Sequence, residues 1–346
     1  MPVSVVIGGQ FGSEGKGKVA LEIARRSKAP VAVVRVGGPN SGHTGYDRSG
    51  NKYALRQMPA GCIDRDVDVV FPAGSYIDVE VLFREIDELQ YRKDRIHVSP
   101  FARIITNEHK GWERAAGLVG AIGSTGSGVG GAVMASVARE ALNFELPSPD
   151  AGHIAPLQEF ICDTSEILRS QLKQGRRVIV EGTQGFGLSL LEGGHWPKAT
   201  SRSTTAAGAL AEAGLSPVDV DDVTMVIRSF PIRVGGDSGP LTNETTWDEV
   251  AAGAGRNEDL REYTTVTQRL RRVGRFDAGL VRHALGVNAP TRLVMNHLDY
   301  LGFEDELNDS RSKLRQFINR VEIDLGRTID WCGFSPINCY VPEFAK

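Results

Sequence analysis

The sequence predicts an α/β fold: one large, mostly parallel sheet with flanking helices. Three observations predict it. Short apolar runs alternate with helix-spaced segments along most of the 346 residues. The first run feeds a glycine-rich turn that opens a helix, so residues 3–36 read as β-loop-α-β, the signature of a parallel sheet. No low-complexity linker divides the chain, so residues 1–346 read as a single domain with insertions.

Taken in order, Val3–Ile7 is a buried strand, residues 17–26 (GKVALEIARR) are the first helix, and Val31–Val36 (VAVVRV) is the second strand. Further buried strands are expected at Val67–Phe71, Val178–Val180, Thr224–Ile227 and Arg292–Asn296. Parallel strands covered on both faces are continuous apolar runs rather than alternating ones. Helical spacing marks 79–90, 158–173, 278–286 and 311–324. Segment 121–131 (AIGSTGSGVGG) lies between helical patterns, which favours a ligand loop over a linker.

Composition narrows the function. Lys and Arg number 40 against 43 Asp and Glu, a formal net charge of −3, with 41% hydrophobic and 24% charged residues. That excludes a mainly disordered chain and a whole-surface nucleic-acid or membrane binder. No segment approaches the ~20 apolar residues of a membrane span, and the opening residues lack the apolar run of a signal peptide. Cys62, Cys162, Cys332 and Cys339 show no CxxC spacing, which points to a reduced, cytoplasmic protein. Cys332 and Cys339 read as buried and inert. Glycine is abundant, 40 of 346 residues, which suggests tight turns and close backbone approach to a ligand.

The strongest motif is GGQFGSEGKGK at 8–18. Glycines let backbone N–H groups converge on phosphate oxygens, and the helix that follows adds its N-terminal dipole. Residues 12–18 fit G-x-x-x-x-G-K, but Val19 stands where a Walker A motif has its Mg²⁺-binding Ser or Thr, so the loop is P-loop-like only. GGPNSGHT at 37–44 follows the second strand, where α/β proteins bind ligands, and offers His43 as acid or base. TTVTQRLRRVGR at 264–275 sets hydroxyls beside Arg269, Arg271, Arg272 and Arg275; it reads as an anion clamp or as a solvated basic face. Asn296-His297-Leu298-Asp299 closes the last strand, where Asp299 is a base-edge acceptor or a helix cap. Gly126-x-Gly128-x-x-Gly131 and Gly15-x-Gly17-x-x-Ala20 match the dinucleotide pattern out of context, which leaves a nicotinamide enzyme a minor alternative.

Together these segments resemble adenylosuccinate synthetase, nearly end to end. GGQFGSEGKGK is similar to the family's G-x-Q-W-G-D-E-G-K-G-K, GGPNSGHT to G-G-x-N-A-G-H-T, and AIGSTGSGVG to A-I-G-T-T-G-R-G-I-G. EGTQG (181–185) is like E-G-A-Q-G, TSRSTTAAG (200–208) like T-S-S-N-T-T-A-G-G, RVGG (233–236) like R-V-G-A-G, and TQRLRRVGR like T-G-R-R-R-R-T-G-W. The resemblance implies a C–N ligase that joins L-aspartate to a purine monophosphate using a nucleoside triphosphate and Mg²⁺. It implies catalytic roles for Ser13, Lys16, His43 and Gln184. The monophosphate nucleotide falls to Ser13, Asn40, Ser124, Thr125, Arg139, Gln184, Thr200 and Arg233, with Arg139 reaching in from a second subunit of a homodimer. Aspartate falls to Thr265, Val266, Thr267, Arg269 and Arg271. The triphosphate donor, of ATP or GTP type, falls to Gly12, Glu14, Gly15, Lys16, Gly17, Lys18, Gly42, His43, Thr44, Arg271, His297, Asp299, Gly333, Ser335 and Pro336. Mg²⁺ falls to Ser13 and the Gly42 carbonyl.

Three departures qualify it. Ser13 replaces the family's catalytic Asp, which takes the N1 proton of IMP and ligates Mg²⁺. Ser127 replaces an Arg. His297 replaces the Lys of the K-x-D that reads guanine, with Asp299 kept. A Ser in place of that Asp resembles a bacteriophage branch that uses dGMP rather than IMP, on the route to 2,6-diaminopurine DNA; the setting would then be the host cytoplasm. An ordinary IMP-using synthetase and a catalytically inactive nucleotide-binding homologue are the alternatives.

Overall fold

All six apolar runs stand side by side in one sheet. The computed structural model describes residues 2–64, 67–139, 141–255, 259–264, 268–337 and 339. Its central sheet has eight strands: β1 (Val3–Gly8), β2 (Val31–Arg35), β3 (Asp68–Phe71), β4 (Ile96–Val98), β5 (Arg177–Glu181), β6 (Val220–Arg228), β7 (Arg292–Asn296) and β8 (Trp331–Cys332). Their order across the sheet is β8-β7-β6-β1-β5-β2-β3-β4. Every pairing in it is parallel, so the central sheet is wholly rather than mostly parallel. β4 and β8, of three and two residues, are too short to register as apolar runs.

Helices cover both faces, as parallel strands require. Val3, Val5 and Ile7 of β1 pack with residues of α5 (Ala206–Ala213), α6 (Ala278–Asn288) and α7 (Lys313–Leu325) on one face. Val6 points to the other face, beside Val19, Ala20 and Ile23 of α1 (Lys16–Arg26). A further cluster joins Val69 and Phe71 of β3 to Leu82, Ile86 and Leu89 of α2 (Val79–Leu89). Two other helices matter below: α3 (Val129–Ala138) and α4 (Thr164–Lys173). The expected helix over 158–173 divides. Residues Ala155–Phe160 form a 3₁₀ turn, and α4 starts only after Asp163, whose carboxylate accepts from the amides of Ser165 and Glu166. An N-cap of this kind sets the true start of a helix more sharply than apolar spacing does.

The four cysteines are free thiols, and Cys62, Cys332 and Cys339 are buried. Burial pushes the Cys332 thiol up to about 12, the inert state expected of it. Among the described residues no helix is long and apolar enough to cross a membrane.

Away from the loop-bearing edge of the sheet, Asp68 gathers Arg176 at 2.9 Å, Gln171 at 2.9 Å and His97 Nε2 at 3.7 Å. Asp68, with Cys162, raises His97 to about 9. The folded chain therefore keeps a proton that the unfolded chain releases near pH 6.5. The resulting stabilisation is complete below pH 6.5 and is lost as pH rises through 9. Urea midpoints should fall across that window in the native chain, and His97→Asn should flatten the fall.

Candidate active site

The carboxyl edge of the sheet carries the site. Unlike the apolar residues before them, the last residues of β2, β5, β6 and β7 are polar: Arg35, Glu181, Arg228 and Asn296, each no more than 1% exposed. Each grips a loop.

The glycine-rich turn leaves β1 at Gly8 and holds itself in shape. Glu14 Oε1 accepts from the amides of Gln10 (3.2 Å) and Gly12 (2.7 Å), and Oε2 pairs with Lys16 Nζ at 2.7 Å. Asn296 Nδ2 donates to the Glu14 carbonyl at 2.8 Å. Gly15 has φ +89°, and a Cβ there would lie 2.6 Å from that Asn296 nitrogen, so only glycine fits. Ser13 has φ +57°, a conformation Asp and Asn also adopt readily. Its carbonyl accepts from Arg228 Nη1 at 3.0 Å and from the His297 ring.

His43 sits under the same loop. Its Nδ1 lies 2.5 Å from Glu181 Oε1 and 2.7 Å from Arg35 Nη1. Glu181 also accepts from the amides of Ala60 (3.0 Å) and Gly61 (3.1 Å). Burial, helped by Arg35, pushes His43 down to about 4 despite the carboxylate. The His43 and Arg35 charges hold Glu181 below the ordinary carboxylate value in spite of burial. A Cβ on Gly17 would come within 2.8 Å of the His43 Cβ, so the missing side chain lets α1 pack directly against the histidine.

A cavity of about 400 Å³ opens beside the turn. Ten of the expected residues line it: Gly12, Ser13, Asn40, Gly42 and Gln184; Ser124 and Thr125 of the glycine-rich 121–131 segment; and Thr200, Arg233 and Arg271. They come from segments nearly 260 residues apart in sequence. Arg233 is buried and donates to the carbonyls of Lys198, Ser238 and Pro240, with its guanidinium 4.4 Å from the Phe11 ring centroid. No carboxylate is among these partners, and burial pushes it down to about 10. Arg271 also lines the wall. The Arg228–Glu262 ion pair stands beside it, and Arg228 pulls Glu262 down to about 2 against the effect of burial.

Other expected residues group elsewhere. Lys18 Nζ donates to the Ser335 carbonyl at 2.9 Å, the Gly333 carbonyl accepts from the Leu298 amide at 3.1 Å, and Asp299 lies within electrostatic reach of Lys18. The donor-side stretches 297–299 and 333–335 are thus neighbours. His297 stands beside them, with the Ser13 carbonyl and the tilted Tyr300 ring, centroids 5.2 Å apart, as neighbours of its ring. Burial, with Arg228, pushes it down to about 3. Thr44, Arg269 and Pro336 are exposed and do not line the cavity. Arg139 is also exposed, at the end of α3 and outside the cavity wall. Thr265, Val266 and Thr267 lie outside the described residues.

Sequence reasoning missed the apolar part of the wall, including Trp112, Leu118, Ile122, Leu188 and Trp196, and also missed Glu113 and Lys198. Glu113 accepts from the amides of Gly128 (3.0 Å) and Gly130 (2.7 Å), which shapes the glycine-rich loop at the start of α3. No local motif marks such a residue.

For Mg²⁺ the fit is poor on the protein side. Protein-bound Mg²⁺ takes one or two carboxylates with phosphate oxygens and waters. Ser13 brings a neutral hydroxyl and Gly42 a carbonyl, while Glu14 is spent on Lys16 and loop amides. Among the described residues no cluster of three His, Cys, Asp or Glu could hold a metal. The described protein groups alone therefore do not make a Mg²⁺ site.

Glu181→Ala should be strongly destabilising, because it leaves the Arg35 guanidinium buried without its carboxylate. Breaking a buried pair from one side costs about 3–5 kcal/mol, which denaturant midpoints should register.

The adenylosuccinate synthetase family model matches residues 5–146 and 151–309. The adenylosuccinate synthetase of Pyrococcus sp. (strain ST700) is 38% identical over 334 residues, 94% of each chain. That of Methanocaldococcus jannaschii is 38% identical over 327 residues, covering 92% of this chain and 90% of its own. Among solved structures, the cyanophage S-2L succinoaminodeoxyadenylate synthetase PurZ, bound to dGMP and to dATP as an energy donor, is similar with a TM-score of 0.81 at 26% identity, over 98% of this chain and 95% of that one. The fully ligated Plasmodium falciparum adenylosuccinate synthetase shares the fold, with a TM-score of 0.84 at 20% identity over 99% and 100%. The wholly parallel sheet, the self-braced glycine-rich turn and these matches agree: the chain belongs to the adenylosuccinate synthetase family, C–N ligases that use a nucleoside triphosphate.

Proposed function

We propose that the purine monophosphate joined to L-aspartate is dGMP, giving 2-amino-2′-deoxy-N6-succinyladenylate for 2,6-diaminopurine DNA, with an ATP-type nucleotide as donor. Ser13 carries this reading. It lines the cavity beside Gln184 and Asn40 and stands where the family pattern has an acid. Guanine differs from hypoxanthine by an amino group on C2, next to N1. A carboxylate aimed at N1 would crowd that amino group, whereas Ser is shorter by one carbon and one oxygen and can accept a hydrogen bond from it. The similarity to the dGMP-bound phage structure supports the same choice.

The chemistry then follows. The γ-phosphoryl group passes to purine O6, leaving a nucleoside diphosphate. The aspartate amine attacks C6 and the C6–O bond breaks, releasing inorganic phosphate. Catalysis is mainly positioning and charge stabilisation. Lys16 and the amides of the turn hold the donor phosphates, with Mg²⁺ arriving on them. His43 faces the transferring group and donates to a phosphate oxygen; Glu181 orients the ring through Nδ1, and the incoming phosphate charge offsets the burial that keeps the ring neutral in the free protein. Asn40, Thr125, Gln184 and Thr200 hold the monophosphate, and Arg269 and Arg271 with residues 265–267 hold the aspartate carboxylates. Arg139 serves the cavity of a second subunit, so the working form is a homodimer of single-domain protomers in the cytoplasm. Ser13 is no base at neutral pH, so the N1 proton leaves through its hydroxyl as a relay, or to a phosphate oxygen or water.

A second reading is an ordinary IMP-using synthetase, favoured by the 38% identity to archaeal adenylosuccinate synthetases. Product mass spectrometry with Mg²⁺, aspartate, ATP or GTP, and either dGMP or IMP separates the two. Product from dGMP is expected; product from IMP alone would establish the second reading. Ser13→Asp, whose backbone conformation an Asp tolerates, should cut dGMP turnover by about 10²-fold or more. A variant that keeps full dGMP turnover would remove the steric argument.

A further inference from the structure

Four residues assigned to the monophosphate group, Asn40, Thr125, Gln184 and Thr200, are neutral donors on the cavity wall; Arg233 on the same wall is tied to the carbonyls of Lys198, Ser238 and Pro240, and Arg139 of the same chain is exposed outside it. A phosphate dianion held by hydroxyls and amides alone is held weakly; charge-assisted contacts are roughly twice as strong as neutral ones.

Arg56 stands one hydroxyl away. Its Nη2 donates to Ser127 Oγ at 3.3 Å and its Nε donates to the Pro39 carbonyl at 2.9 Å. Ser127 Oγ in turn lies 2.8 Å from Thr125 Oγ1. The guanidinium's hydrogen-bond partners are thus a hydroxyl and a carbonyl. The nearest acids are engaged elsewhere. Glu85 accepts from the amides of Arg56, Gln57 and Met58, and Asp78 pairs with Lys110 at 2.7 Å. Arg56 itself is fixed from behind, since its carbonyl accepts from Arg35 Nη2 at 3.0 Å.

Arg56 donates to Ser127 Oγ, and the Ser127 hydroxyl can in turn donate to Thr125 Oγ1; in that arrangement the Thr125 hydroxyl donates into the cavity. Each link polarises the next. The Pro39 contact fixes the residue before Asn40 by the same guanidinium. Ser127 is also the position at which the family pattern carries an Arg, and here a cation stands behind it on the bend that follows the hairpin strand Lys52–Leu55.

We propose that Arg56 is a cation set behind the monophosphate subsite, a positioning residue that acts through Ser127 on Thr125 and through Pro39 on Asn40. The inference rests on the assignment of that wall to the nucleotide phosphate, and it is independent of which purine is used.

The test is steady-state kinetics and calorimetric binding on Arg56→Met, Arg56→Lys and the double variant Arg56→Met/Ser127→Arg, with dGMP and IMP as nucleotides and deoxyguanosine as the phosphate-free probe. Arg56→Met should raise KM and Kd for the monophosphate nucleotide by about 10–100-fold, the range of a lost bond to a charged group. KM for aspartate and for the donor should hold within about twofold. Any affinity for deoxyguanosine should not change, and Arg56→Lys should recover part of the loss. The double variant should regain nucleotide affinity, because the cation returns from the loop side. A rise confined to the aspartate KM, an equal loss of deoxyguanosine affinity, or unchanged nucleotide affinity in Arg56→Met would overturn the inference alone. A native chain that binds neither dGMP nor IMP would overturn the phosphate assignment, and the inference with it.

Discussion

The buried carboxylate of Glu181 is the contact from which the site takes its geometry. A charge sealed from water is tolerated only when its lone pairs are filled. Here they are filled by His43, Arg35 and the amides of Ala60 and Gly61. Those partners belong to β2, to the hairpin strand that starts at His43 and to the turn at 60–62, so satisfying one carboxylate fixes three segments against β5. The helix that begins the phosphate loop then packs onto the same assembly, because Gly17 lets it approach His43 and Ala60. The histidine and the loop are thereby set at one distance from each other before any nucleotide binds, which is the preorganisation that charge-stabilising catalysis needs.

The same device recurs along the carboxyl edge. Arg228 holds the Ser13 carbonyl, and Asn296 holds the Glu14 carbonyl. In a doubly wound sheet the ligand crevice lies beyond these strand ends, and here the final residue of each strand braces the crevice rather than closing the core. The glycine-rich turn completes itself with Glu14, whose carboxylate takes amides that a Walker A loop would offer to phosphate. A polyphosphate entering this loop meets a negative charge already in place, beside Lys16.

Much of this arrangement was legible in the sequence. The six central strands are short apolar runs, and in a covered parallel sheet hydrophobicity marks where they lie. The same criterion stopped short at the ends. It read VIV where the strand is RVIVE and TMVI where it runs on to Arg228, so Glu181 and Arg228 fell outside the predicted strands, whereas Arg35 and Asn296 fell inside them. Ser13, Lys16, His43 and Gln184 were found because their motifs are local. Glu113, Trp196 and the apolar wall were not, because they meet only through tertiary packing of unrelated loops. His297 was assigned to the donor base by its place in a motif; its φ of +58°, which no spacing rule shows, accompanies a ring directed at Ser13.

The three departures from the family pattern are physically coupled. With the acid at 13 gone, position 297 holds a histidine that burial and Arg228 keep neutral, with Glu262 as its nearby acid. Its ring still reaches the backbone of Ser13, so the loop keeps its brace while the local charge falls. Arg228, fully buried, is balanced by Glu262 and so adds a second donor to the Ser13 carbonyl without adding net charge. Ser127 withdraws a cation from the glycine-rich loop, and Arg56 stands behind it. Each loss of charge is matched by a neighbour that preserves the local geometry: His297 stays beside the Arg228–Glu262 pair, and Arg56 stays hydrogen-bonded to Ser127. That pattern is the argument for reading Ser13 as a change of substrate rather than a loss of function.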